Sequence, residues 1–163
     1  MQVSEPIAEH PVSQAARLYE TDFCTWAVAQ AQILRDRAWD DLDVEHLVEE
    51  IEALARQQRQ ELRNRLAVLL GHLLKWEFQV SRRSRSWQAT VRIQRREIAL
   101  LLKENPSLQP YRDEALGVAY LNGRDLAIAE TDLPEATFPI DCPYRWDAVL
   151  DADFWPGEGA IGE

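Results

Sequence analysis

Three arginines gather where a helix is predicted to begin, in Arg82-Arg83-Ser84-Arg85-Ser86-Trp87. A helix N-terminus already carries about half a positive charge from its unpaired N–H groups, so each cation there costs roughly 0.3–1 kcal/mol. An anionic companion would offset that cost. It can come from the chain's own carboxylates, an acidic partner protein, or phosphate or nucleic acid. Ser84 or Ser86 as cap, the free N–H groups of the first turn, and Arg82, Arg83 and Arg85 together form a candidate anion site. His72 and Lys75, near the end of the preceding helix, can line the same end of the bundle. Arg92 and Arg96 carry the basic surface along the helix that follows.

A second constellation is acidic. His46, Glu49 and Glu50 stand at i, i+3 and i+4, so an imidazole and carboxylates share one helix face. They are weak metal candidates, because a di-iron type site needs Glu-x-x-His pairs from several facing helices and no second helix offers one. An enzyme using Glu49, Glu50 and His72 as acid and base would need those groups to converge in one pocket. On a straight helix, however, His72 stands about 33 Å beyond Glu50. Cys24 falls near an apolar stripe and is expected as a small core residue. There is no glycine-rich phosphate loop, nucleophile elbow or zinc spacing, so no cofactor and no resident metal are expected.

Five helices must position these groups. The first is predicted from Thr21 or Asp22 to Ala38, with an apolar stripe through Phe23, Trp26, Ala27, Gln30, Ile33 and Leu34. The second runs from Val44, capped by Asp43, to about Phe78 or Val80, and its stripe is Leu47, Ile51, Leu54, Gln58, Leu62, Leu66, Leu69, Leu73 and Trp76. A straight helix of that length spans about 50 Å, against a radius of gyration near 15 Å for a compact chain of this size. It must therefore bend, overhang or meet a second subunit, with the polar Arg56–Glu61 stretch as the expected place. Leu66–Leu74 is apolar nearly all round and should be the most buried piece.

The third helix, from Ser84 or Ser86 to Glu104, should run antiparallel to the second and bring Trp76 near Trp87. It places Trp87, Val91, Ile98 and Leu101 opposite Arg85, Arg92, Arg96 and Lys103. A fourth is expected from Leu108 to Glu130, with Pro110 in its first turn, and a short fifth from Pro143 to Leu150, capped by Asp141 or Cys142. Phe154-Trp155-Pro156 reads as an apolar clasp, and Gly157 onward as frayed. Trp39 and Trp155 are the tryptophans expected at the surface. The predicted architecture is an all-α antiparallel bundle in one domain, 1–163, with an ordered core of about 17–156.

Charge is arranged in blocks. Residues 1–55 hold 3 basic and 12 acidic side chains, residues 56–103 hold 12 and 3, and residues 104–163 hold 3 and 13. The plainest reading is that the flanks neutralise the basic middle; the sharper one is a ligand or nucleic-acid face. A net charge of −10 disfavours broad nucleic-acid affinity. No run approaches the ~18 apolar residues of a membrane helix. Nor does Met1-Gln2-Val3-Ser4-Glu5-Pro6 open a signal peptide, so the cytoplasm is the expected compartment. Two cysteines are too few for a disulfide scaffold.

Several segments resemble the bacterial "domain of unknown function 29" family across roughly residues 17–156. They are Tyr19-Glu20-Thr21-Asp22-Phe23, Leu47-Val48-Glu49-Glu50-Ile51-Glu52, Leu70-Gly71-His72-Leu73-Leu74-Lys75-Trp76 and Arg83-Ser84-Arg85-Ser86-Trp87, followed by Asn105-Pro106-Ser107-Leu108, Thr137-Phe138-Pro139, Cys142-Pro143-Tyr144 and Asp153-Phe154-Trp155-Pro156. The resemblance implies an almost wholly helical bacterial protein, in cyanobacteria especially, and brings no activity or ligand. Val80 departs from the family pattern, where proline is usual, and leaves the end of the second helix open. The functional expectation is a non-enzymatic interaction module that meets a protein partner or a second copy of itself. The basic turn with the adjoining face of the third helix would be the contact surface, and phosphate or nucleic acid at 82–86 is the alternative.

Overall fold

A computed structural model describes residues 17–157, and within them the chain is all-α, with no strand. Residues 17–21 are helical and are followed by α1 (Phe23–Asp36), α2 (Val44–Phe78), α3 (Arg85–Glu104), α4 (Arg112–Ala129) and α5 (Trp146–Leu150). Short 3-10 turns join them. Of the tail expected to fray from Gly157 onward, all but Gly157 itself lies outside the described residues. Two compact units divide the chain, residues 1–55 and residues 56–163. The division falls inside α2, at the edge of its polar stretch, yet the helix is uninterrupted.

Unit one is a helical hairpin. Asp22 caps α1, its carboxylate accepting from the Thr25 N–H at 3.1 Å and from the Thr25 hydroxyl at 2.7 Å. Arg37 ends that helix in the left-handed region, at φ 57°, two residues short of Trp39, which is exposed as expected. Asp43 then opens α2, its carbonyl accepting from Leu47 N–H at 3.1 Å. Of the described apolar side chains in this unit, only Trp26 is fully buried. Cys24, expected in a core, is exposed: it sits beside the apolar stripe and not on it.

Unit two holds a full core. Leu62, Leu66, Leu69, Leu70, Leu73 and Leu74 of α2 are completely buried against Val91 and Ile98 of α3, Ala115 and Ala119 of α4, and Val149 of α5. The Leu66–Leu74 stretch is indeed the most enclosed part of its helix. At Gly71 and Gly123 the α2 and α4 backbones touch. A Cβ on Gly123 would lie 2.8 Å from the Ala67 carbonyl oxygen, and one on Gly71 would lie 3.0 Å from that of Gly123. Gly71 is therefore a contact point, not merely a weak helix residue.

Ser84 caps α3 by accepting from the Trp87 N–H at 3.2 Å. Its buried face carries Val91, Ile98, Leu101 and Leu102, while Arg85, Arg92, Arg96 and Lys103 are exposed. Two expected boundaries shift. Pro106–Tyr111, which contains Pro106 and Pro110, is 3-10 and α4 begins only at Arg112. The last helix begins at Trp146 without a side-chain cap, instead of at Pro143 under Asp141 or Cys142. There Tyr144 is drawn to Glu77, its hydroxyl donating to the carboxylate at 2.5 Å.

Candidate functional site

The basic turn lies between two helix ends. Its electrostatics are set by the end of α2 as much as by the start of α3. Arg83 Nε donates to the Trp76 carbonyl at 2.9 Å, one of the carbonyls a helix C-terminus leaves without an intrahelical partner. The same guanidinium lies 4.7 Å from the centre of the Trp76 ring. A cation there meets the negative end of the α2 dipole, which offsets the repulsion from α3. Arg82, Arg85 and Ser86 are exposed and Ser84 is half-buried as the cap. Arg92 and Arg96 continue along the solvent face of α3.

Lys75 and His72 come together one turn away. Lys75 is 2 % exposed. Its ammonium pairs with Glu130, faces the Trp87 ring at 4.9 Å and stands 3.4 Å from His72 Nε2. His72 Nδ1 donates to the Val68 carbonyl at 2.8 Å, so its Nε2 lone pair is turned to the ammonium. Burial first, and then the Lys75 charge, holds His72 below the ordinary imidazole range. Within this cluster the ammonium is ion-paired with Glu130 and both imidazole nitrogens are engaged.

His46, Glu49 and Glu50 belong to unit one. The buried Asp43 carboxylate accepts from Trp26 Nε1 at 3.0 Å and from His46 Nδ1 at 2.8 Å, while Asp43 N–H donates to Gln30 Oε1 at 2.9 Å. Tyr19 stacks on His46, with ring centres 4.0 Å apart, and its hydroxyl donates to Glu50 at 2.7 Å. That bond to a carboxylate, more than any other cause, pushes the Tyr19 hydroxyl up to about 12. Within this network the Asp43 carboxylate, His46 Nδ1, Gln30 Oε1 and the Tyr19 hydroxyl each have a local structural partner, and no group of three metal-ligating side chains occurs among the described residues.

Beside this network runs an apolar groove of about 280 Å³. One wall is the α1 stripe with Phe23, Ala27, Ala31 and Leu34; the other is α2 with Leu47, Ile51 and Leu54. Ile51 is 65 % exposed and Leu54 62 %. Gln30 lines the groove, is only 1 % exposed, and has no hydrogen-bond partner for its Nε2. Unpaired buried donors are rare because each costs about 1–3 kcal/mol.

Periodicity marks Phe23, Leu34, Ile51 and Leu54 as apolar-face residues but not as a groove, because a stripe does not reveal whether another element covers it. Arg95 is missed outright. It is buried within α3, stacks 5.5 Å from the Trp155 ring, and donates to the carbonyls of Val149, Ala152 and Phe154 at 2.9, 3.3 and 2.7 Å. Its spacing of four from Val91 and three from Ile98 was the available signal. Trp155, expected outside, is half-buried by this contact and by Trp76 at 4.6 Å. Elsewhere in unit two, a cleft of about 300 Å³ includes Arg112, Arg145, Asp113 and Asp147, two charges of each sign.

A family model described as "Domain of unknown function DUF29" matches residues 18–155. No curated protein and no solved structure matches the chain.

Proposed function

We infer that this chain, which belongs to the DUF29 family, is a cytoplasmic protein-interaction module that receives a helix in the groove between α1 and the first turns of α2. The observation that carries this reading is the uncovered apolar face. Phe23, Leu34, Ile51 and Leu54 are all exposed in a unit whose described residues bury one apolar side chain. A hairpin of this size encloses too little surface to be secure alone, and a third helix supplies what it lacks. Burying Ile51 and Leu54 under such a helix contributes on the order of 1.5–3 kcal/mol for each side chain fully covered. The incoming element can also supply an acceptor to Gln30 Nε2.

Both side chains already face solvent, so Ile51→Glu combined with Leu54→Glu leaves the melting temperature of the free chain within about 2 °C of the parent. In capture from the native cell, the double variant loses proteins that the parent retains. Identical captured sets, or a variant that melts much lower, would go against a docking role for this face.

A further inference from the structure

Unit one and the outer face of α3 have complementary chemistry. We propose that the occupant of the groove is α3 of a second copy of this chain; this rests on the groove reading above and names its partner. The described residues of unit one carry Glu20, Asp22, Asp36, Asp40, Asp41, Asp43, Glu45, Glu49, Glu50 and Glu52 against Arg17, Arg35 and Arg37. Of these only Glu50 lines the groove, so it is the net charge of the unit as a whole that favours an incoming helix with an apolar strip beside cations. The solvent face of α3 has that composition. Ala89, Ile93 and Leu100 are exposed along one strip, and Arg85, Arg92, Arg96 and Lys103 are exposed beside it. Positions 85, 89, 92, 93, 96, 100 and 103 follow the spacing of a single helical face.

Like charge disfavours the simpler alternative, in which two grooves close on each other, because both hairpins are acidic. Opposite charge favours groove on α3, and each copy has both halves of that contact to offer. Association of this type is heterologous, so two faces that differ in chemistry meet at every contact. The cations of α3 then approach a unit of opposite net charge. The exposed Ile93 and Leu100, which contribute nothing to the core of their own unit, acquire a place to be buried.

The test uses the full chain and sedimentation equilibrium. The parent self-associates, and raising sodium chloride from about 50 mM to about 500 mM weakens association several-fold, as screened opposite charges require. One variant carries Ile51→Glu and Leu54→Glu; another carries Arg92→Glu and Arg96→Glu, which are exposed charges whose exchange leaves folding unchanged by circular dichroism. Each alone loses about tenfold or more in self-affinity. Mixed, they form a one-to-one pair, because the intact groove of one meets the intact α3 of the other. A parent that stays monomeric at about 100 µM overturns the proposal. So does self-association unaffected by Arg92→Glu with Arg96→Glu, or a mixture that does not pair. If the parent is monomeric but Ile51→Glu with Leu54→Glu still loses a captured protein, the second copy is the wrong occupant and the groove reading stands. If neither is seen, both fall.

Discussion

Arg83, Arg85 and Arg95 show how differently one residue type can be used within a few turns. Of the clustered arginines, Arg83 bonds a helix C-terminal carbonyl while Arg85 is exposed at a helix start. Arg83→Gln is therefore expected to lower stability by about 1–2 kcal/mol, and Arg85→Gln to leave it unchanged or raise it by a few tenths. Thermal melts of the two single variants separate these outcomes, and equal effects would contradict the assignment. Arg95→Ala should cost about 3 kcal/mol or more, since it leaves three carbonyls without their charged donor and a gap against Trp155. His72 has a folded pKa below its ordinary value near 6.5. The unfolded chain thus takes up the proton first as pH falls. Stability is complete above that ordinary value and declines as pH drops through it toward the lower folded value. From about pH 7.5 to pH 5 the parent should lose more melting temperature than His72→Gln, whereas parallel curves would place the imidazole in water.

At the scale of the element, the α2–α4 crossing depends on two glycines. Gly123→Ala drives a methyl into the Ala67 carbonyl, and backbone cannot swing aside as a flexible side chain can. The ordinary gain in helix propensity, about 1 kcal/mol, is outweighed by overpacking of about 1–3 kcal/mol. A lower denaturation midpoint is expected. Gly117, whose added Cβ would meet nothing within 4 Å, should instead gain stability on substitution by alanine. Periodicity located α1, α2 and α3 well, because Pro-free apolar stripes and the caps Asp22 and Ser84 state where a helix begins. It missed the late start of α5 because the pull of Glu77 on Tyr144 is a contact 67 residues away in sequence. The glycine crossing was hidden for the same reason: Gly71 alone reads as a weak position until Gly123 lies opposite.

For the molecule as a whole, charge blocks and uncovered apolar surface point the same way. The acidic first block and the basic middle block are legible in the sequence, and so is the all-α class. Which apolar stripe remains open is not, since Leu47, Ile51 and Leu54 follow the same spacing as the fully buried Leu62, Leu66 and Leu69 on the same helix. Only the layers packed against each half distinguish them. Among the described residues no helix is long and apolar enough to cross a membrane. The most direct measurement places a photo-crosslinking residue at position 51, with a control at the exposed position 118 on α4, and illuminates living cells. A discrete adduct from position 51 and none from position 118 is predicted. No adduct from 51, or the same products from both, would contradict a docking groove.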